Sequence, residues 1–323
     1  MVKKILLPFI IFLSVVSCEK DKKITLVDST GRINHLLVVM TDENWQGEVG
    51  DSLRTVLAEP LVGLPQDEAQ FYVNQVTPNN FTKLFKRTRN ILFIGLAEEE
   101  NFYVNQNIYA TPQTTLTILG EDINSLIKNI KKHKKEIIDT YKKRDLALYQ
   151  NKITKKHWKI NNIETFNKLD FNLKIPSTYN KIEDNGDFLW FRYPFTKGQL
   201  NILAYAVPVS SKADLNVENI IKIRDSIGKM YIPGQFENTY LFTEPLYKPV
   251  TKKIQINSKD AVETRGLWIV KNDFMGGPFL NYTVYDKAKN RLVIVEGFSY
   301  SPSTKKRDFV FELESILKTL TIK

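Results

Sequence analysis

The chain has 323 residues, 42% of them hydrophobic and 11% aromatic, which fits a folded protein with sizeable cores and excludes a disordered or low-complexity one. Its formal charge of +10 comes from 46 basic and 36 acidic residues with no compact patch that interleaves arginine with aromatics, so nucleic acid is not expected as a partner. A single cysteine excludes an intrachain disulfide, and the fold must rest on its cores.

At the N-terminus, Lys3 and Lys4 precede an apolar run from Ile5 to Ser17. That run is shorter than the roughly 20 residues a membrane-crossing helix needs. A basic start, an apolar middle and a small residue before the cut read as a secretory signal over residues 1–17. The tetrapeptide Val15-Val16-Ser17-Cys18 resembles the lipobox of bacterial lipoproteins. The resemblance implies cleavage before Cys18 and acylation of both its thiol and its freed amine, as in palmitate-bearing lipoproteins. Each buried methylene contributes about 0.8 kcal/mol and one chain holds only marginally, so several chains on Cys18 make a stable anchor. Residues 18–32 are charged and polar, as a tether would be. The expected location is the cell envelope, held at the outer membrane by lipid on Cys18.

From His35 the pattern alternates between strand and helix. His35 to Met40 is a short apolar run, as in a buried strand. Val49, Leu53, Val56 and Leu57 recur at helical spacing before Pro60. Phe71 to Val76 alternates, Pro78 to Lys86 reads as a short helix, and Asn90 to Gly95 and Thr114 to Leu119 read as further strands. A long helix is predicted from Glu121 to about Tyr149, with Ile123, Ile127, Ile130, Ile137, Ile138 and Tyr141 as its apolar stripe. Its lysines, from Lys128 to Lys135, read as a solvated face.

Residues 151–167 change character and are expected to carry the chain into a second domain. Strands are predicted at Phe171–Pro176, Phe188–Tyr193, Leu200–Val209, Lys253–Ile256, Gly266–Val270, Phe279–Tyr285 and Leu292–Ser299. Val217, Ile220, Ile221, Arg224 and Ile227 mark an amphipathic helix that Gly228 would cap, and Phe309 to Leu320 a closing helix. The expectation is an α+β fold of two α/β-type domains, residues 33–150 and 151–323, the second an antiparallel sheet with packed helices. A strand ending in Ile175-Pro176, a long central hairpin and a closing helix resemble the Mog1/PsbP-like sandwich. Fold of this kind does not imply function.

Three stretches carry a more detailed resemblance. They are Gly63 to Phe71 with Arg89-Asn90-Ile91, Tyr231 to Pro245, and Arg265 to Phe279. Together they resemble an uncharacterised family of Bacteroidetes lipoproteins, a domain of unknown function. This implies an address and an anchor, but no activity, cofactor or catalytic residue.

No Walker loop, Gly-x-Gly-x-x-Gly or Gly-x-Ser-x-Gly motif appears, and His35, His133 and His157 lack metal-ligand spacing. No cofactor, metal or catalytic residue is therefore assigned. Met275-Gly276-Gly277-Pro278 reads first as a tight turn or bulge leading into a strand, and second as bare amides open to a ligand. Around it, Arg265, Trp268, Asp273, Phe274, Gly276 and Gly277 form the candidate binding surface, since aromatic and Arg side chains anchor interfaces. Trp268 also fits ordinary core packing. The expected function is a non-enzymatic binding or assembly module with an envelope protein as partner. Two alternatives are an envelope hydrolase working on glycan or peptide through Asp67, Glu68, Glu244 or Asp273, and a binder of lipid or a small apolar ligand.

Overall fold

The structure is a computed structural model that describes residues 25–323. The expected signal over residues 1–17, Cys18 and the start of the expected tether lie outside the described residues.

The first half is a five-stranded sheet. Its strands are β1 (His35–Val39), β2 (Tyr72–Val76), β3 (Asn90–Leu96), β4 (Asn101–Gln106) and β5 (Thr114–Gly120), in the order β2-β1-β3-β5-β4. All pairs are parallel except β4 with β5. The central strands are the continuous apolar runs of the sequence, as a parallel sheet covered on both faces requires. The edge strand β4, Asn-Phe-Tyr-Val-Asn-Gln, is mostly exposed and shows no apolar run, which is why periodicity does not reveal it.

Helix α1 (Glu48–Leu57) buries Val49, Leu53, Val56 and Leu57 against this sheet. The long predicted helix is two: α2 (Ile123–Lys132) and α3 (Lys134–Lys155), separated at His133. Asp122 caps α2 by accepting from Ser125 N at 2.7 Å, and the Ser125 hydroxyl accepts from Asp122 N at 3.0 Å. Ile123 is therefore at the exposed first position, and Leu126 takes the core place expected of it. Helix α3 runs through residue 150 and ends only at Lys155. Its Ile137 and Tyr141 lie in the core of the first sheet, whereas Ile153 and Tyr149 join the core of the second. One helix thus spans both cores.

The second half is an eight-stranded antiparallel sheet. Helix α4 (Glu164–Leu169) leads to β6 (Asn180–Asp184), β7 (Phe188–Phe195) and β8 (Gly198–Pro208). Helix α5 (Val217–Tyr231) precedes β9 (Leu241–Thr243), β10 (Val250–Ile256), β11 (Lys259–Val270), β12 (Gly276–Asp286) and β13 (Arg291–Tyr300). The order is β9-β11-β12-β13-β8-β7-β6, with β10 pairing the other half of β11's free edge. The two-residue turn between β10 and β11, Asn257 and Ser258, has φ of 49° and 62°, the left-handed pair of a tight hairpin.

Alternation divides this sheet's side chains. One face, with Phe191, Ile202, Leu280 and Val295, packs under α4, the end of α3 and the closing helix α6 (Arg307–Leu317). The other, with Trp190, Leu203, Trp268 and Phe298, packs under α5. Two expectations change here. Gly228 lies inside α5, whose cap is Ile232; a Cβ at Gly228 would stand 2.3 Å from Leu241 O, so glycine there lets the strand lie close. Of Phe171–Pro176, only Phe171–Asn172 forms a strand, pairing with Thr321–Ile322, though Leu173 and Ile175 are buried.

Candidate functional site

The six residues singled out in the sequence do not form one surface, and strand parity is the reason. Arg265 and Trp268 are three apart on β11, so they leave opposite faces of the sheet. Trp268 is 2% exposed and packs edge-on to Phe298, donating its indole N–H to Ser299 O at 3.2 Å. Arg265 is covered by α6, its Nε donating to Glu263 Oε1 at 2.8 Å and its Nη2 to Glu314 Oε2 at 2.9 Å. Burial opposes the charge of Arg265, but Glu314 and Glu263 outweigh it and raise the guanidinium's pKa. Neither residue is available to a partner at the surface.

The glycine pair serves the strand. Both glycines lie at the start of β12, and neither has a positive φ. A Cβ on Gly277 would fall 2.2 Å from Ser299 O and 3.2 Å from the Trp268 indole nitrogen. Glycine there admits β13 and seats the indole. The turn itself is made by Asn272, φ 64°, and by Asp273, whose Oδ1 accepts from Phe274 N at 2.6 Å.

Phe274 remains on that turn, fully exposed. Its neighbour Met275 lines a cleft of about 190 Å³ with Trp190, Arg192, Gln199, Gln235 and Phe298. Arg192 lies 4.6 Å over the Trp190 ring, and burial draws its pKa down. Trp190 Nε1 and Arg192 Nε both donate to Asn201 Oδ1, at 3.0 and 3.3 Å. Phe236 follows the cleft's Gln235 and is 61% exposed, Met230 is 69% exposed on a surface that shares Pro233 with the cleft, and Lys229 and Lys271 both lie over the Tyr240 ring. The sheet end therefore carries a firm aromatic floor and an apolar rim in water. Such a rim is what a partner's pocket would take up.

The acidic candidates stand apart. Glu68 is buried and accepts the backbone N–H of Lys306 at 2.6 Å and of Arg307 at 3.1 Å, capping α6 from the other half of the molecule. Asp67 is exposed, Glu244 Oε1 accepts from Leu246 N, and Asp273 is held by Phe274 N. No hydrogen bond links any two of them, as would join a paired acid and base. His35 stacks on Tyr72 and His133 on Phe102. Among the described residues no three His, Cys, Asp or Glu side chains gather around a metal position.

Two buried polar networks were not foreseen. At the joint between the halves, Asp145 accepts from Asn34 N at 2.8 Å and from Asn90 Nδ2 at 3.2 Å, and Asn34 Nδ2 donates to Asp308 Oδ1 at 2.9 Å. Lys142 Nζ donates to Asn34 Oδ1 at 2.8 Å and to Gln70 O at 3.0 Å. Burial lowers Lys142 to about 8, against the opposing pull of Glu314. Under α5, Arg224 donates from Nε to Glu296 Oε1 at 3.0 Å and from Nη1 to Thr243 Oγ1 at 2.8 Å, and its guanidinium lies 3.9 Å over Phe279. The signals were a glutamate inside Val-Ile-Val-Glu-Gly-Phe and a Lys–Asp pair beside a buried Tyr141, neither of which reveals its partner. Two of the three family-like stretches meet near the joint: Glu68 accepts from Lys306, Asn90 donates to Asp145, and Gly63 backs directly onto Arg265.

The family profile described as domain of unknown function DUF4837 matches residues 156–319, and a second, domain of unknown function DUF8532, matches residues 29–154. No curated protein matches the chain. Three solved structures are similar in fold to part of it. LpqN, involved in cell envelope biogenesis of Mycobacterium tuberculosis, is 10% identical over 47% of this chain and 83% of its own, with a TM-score of 0.32. The Saccharomyces cerevisiae Ran-binding protein Mog1p is 8% identical over 47% and 90%, with a TM-score of 0.31. Human StAR-related lipid transfer protein 5 is 6% identical over 44% and 88%, with a TM-score of 0.26. Likeness at this level bears on no activity.

Proposed function

We propose, for a chain that belongs to the DUF4837 family of unknown function, that it is a lipid-anchored protein of the cell envelope, held at the outer membrane, that binds an envelope protein partner without catalysing a reaction. The anchor rests on the Lys3-Lys4 start, the apolar run and Val15-Val16-Ser17-Cys18. Among the described residues no helix is long and apolar enough to cross a membrane. The observation that carries the binding role is Phe274, fully exposed on a hydrogen-bonded turn. A large apolar side chain held out in water contributes nothing to the fold that holds it. Buried in a partner's pocket it contributes on the order of 2 kcal/mol.

The test is crosslinked co-purification from the native membranes with a lysine-reactive crosslinker, read by mass spectrometry. A stoichiometric envelope protein, lost on Phe274→Asp and Phe236→Ser with the thermal melt unchanged, is the expected result. Recovery of the same partner at the same yield from both variants rejects the rim as the interface. The anchor is checked separately: Cys18→Ser should abolish palmitate labelling and release from the outer-membrane fraction of a density gradient should follow.

A further inference from the structure

Away from the aromatic rim, between the two halves, lies a groove of about 430 Å³. This volume falls in the range of sites that hold small molecules, and the boundary between domains is where such sites concentrate. Its walls are apolar: Leu61 and Val62 from the loop after α1, Ile138 and Leu146 from α3, Val250 from β10 and Phe311 from α6.

The charged groups of the groove are unevenly matched. Each carboxylate is already engaged: Glu263 and Glu314 by Arg265, Glu314 also by Lys318, and Asp139 by Lys135. Lys142, Lys143 and Lys252 line the same groove and have no carboxylate within 4 Å among the described residues. Arg265 Nη1, the third arm of the clamped guanidinium, is buried with no hydrogen-bond acceptor. A buried donor without an acceptor is costly, and a negative charge held in the adjoining groove would offset part of that cost through space. The ammonium of Lys142 lies 5.0 Å from the centre of the Phe71 ring and 5.6 Å from that of Phe311.

We infer that this groove is a binding site for a single-chain amphiphile with an anionic head group, the head meeting Lys142, Lys143, Lys252 and Arg265 and the chain lying along the apolar walls. Apolar walls alone would suit a neutral lipid, and lysines alone an inorganic anion. The groove presents both within one small-molecule length. This site is separate from the aromatic rim, and either can fail without the other.

The experiment is calorimetric titration of octyl phosphate into the full-length protein held in zwitterionic nanodiscs, with partition into empty nanodiscs subtracted. One site is expected. Val62→Trp fills the groove from a position that is 46% exposed and makes none of the joint's hydrogen bonds, and it should weaken binding at least tenfold. Lys252→Glu, on an exposed stretch of β10, should weaken it severalfold. Octyltrimethylammonium should not bind, and inorganic phosphate should bind at least tenfold less tightly than octyl phosphate. Unchanged affinity in both variants, or equal binding of the cationic amphiphile, overturns the proposal. Equal binding of inorganic phosphate overturns it too, leaving a plain anion site.

Discussion

Arg224 and Arg265 approach the same antiparallel sheet from opposite faces, and each is held by a glutamate. Arg224, on α5, is 2% exposed and its partner Glu296 is wholly buried, with Asn281 Nδ2 donating to that carboxylate at 3.0 Å. Arg265, on β11, is 11% exposed, and Glu263 and Glu314 beside it are 15% and 18% exposed. The first cluster is sealed inside a core; the second forms the floor of a groove. Both pin a helix to the sheet. Only the second lines a groove that something else can fill. A buried ion pair adds little net stability over apolar packing, yet breaking one leaves an uncompensated charge. The two clusters should therefore respond differently to the loss of one partner.

Glu296→Ala should have the largest effect. It leaves Arg224 without its charge partner in a dry site, and a loss of about 3–5 kcal/mol is expected in urea unfolding. A loss below about 1 kcal/mol would mean that water reaches this cluster and would erase the contrast with Arg265.

Glu314→Gln comes next and sharpens the comparison through pH. Burial pushes the Glu314 carboxyl up, but Arg265 and Lys318 outweigh it and hold it at about 2, below its ordinary value of 4.5. A carboxyl with a depressed folded pKa contributes stability that is fully present above the unfolded value and is lost as pH falls through the folded one. The contribution is about 3 kcal/mol at neutral pH and should disappear between about pH 4.5 and 2. Stability curves of the parent and Glu314→Gln should converge over that window. Parallel curves would show that the groove-side pair does not titrate with folding.

Glu68→Ala removes the acceptor for the first two N–H groups of the closing helix, supplied from the other half of the chain. A cost of about 1–2 kcal/mol is expected. Hydrogen exchange at Lys306 and Arg307 should rise while that in β12 and β13 stays slow; equal acceleration throughout would mean that the joint and the sheet open together.

Phe274→Asp should be the smallest, within about 0.5 kcal/mol in the thermal melt, because the ring is wholly exposed and supports nothing. A larger loss would place the ring in the fold rather than at a binding rim.

Much of the architecture was legible because it follows from local periodicity. The buried runs of β1, β3 and β5, the stripe of α1 and the hairpin of β12 and β13 all show in the order of residues. The edge strands β4 and β6 did not show, since a strand bonded on one side and wet on the other needs few apolar residues. The site was less legible. Grouping Arg265 with Trp268 followed their closeness along the chain, whereas their odd separation on a strand sends them to opposite faces. Phe274 was picked out, but the other exposed apolar side chains, Phe236 and Met230, come from other elements and carry no shared motif.

By itself, then, the sequence determined which segments are strands and helices and which of their faces are apolar, because these depend on neighbours one to four residues away. It also carries Val15-Val16-Ser17-Cys18, which resembles a lipobox. Tertiary structure alone decided that Glu68 caps a helix 238 residues further on, that Asp145 gathers Asn34 and Asn90, and that α3 is shared by two cores. A charged side chain looks the same along the chain whether it is solvated or clamped. Only the packing of distant segments removes the water and makes its partner matter.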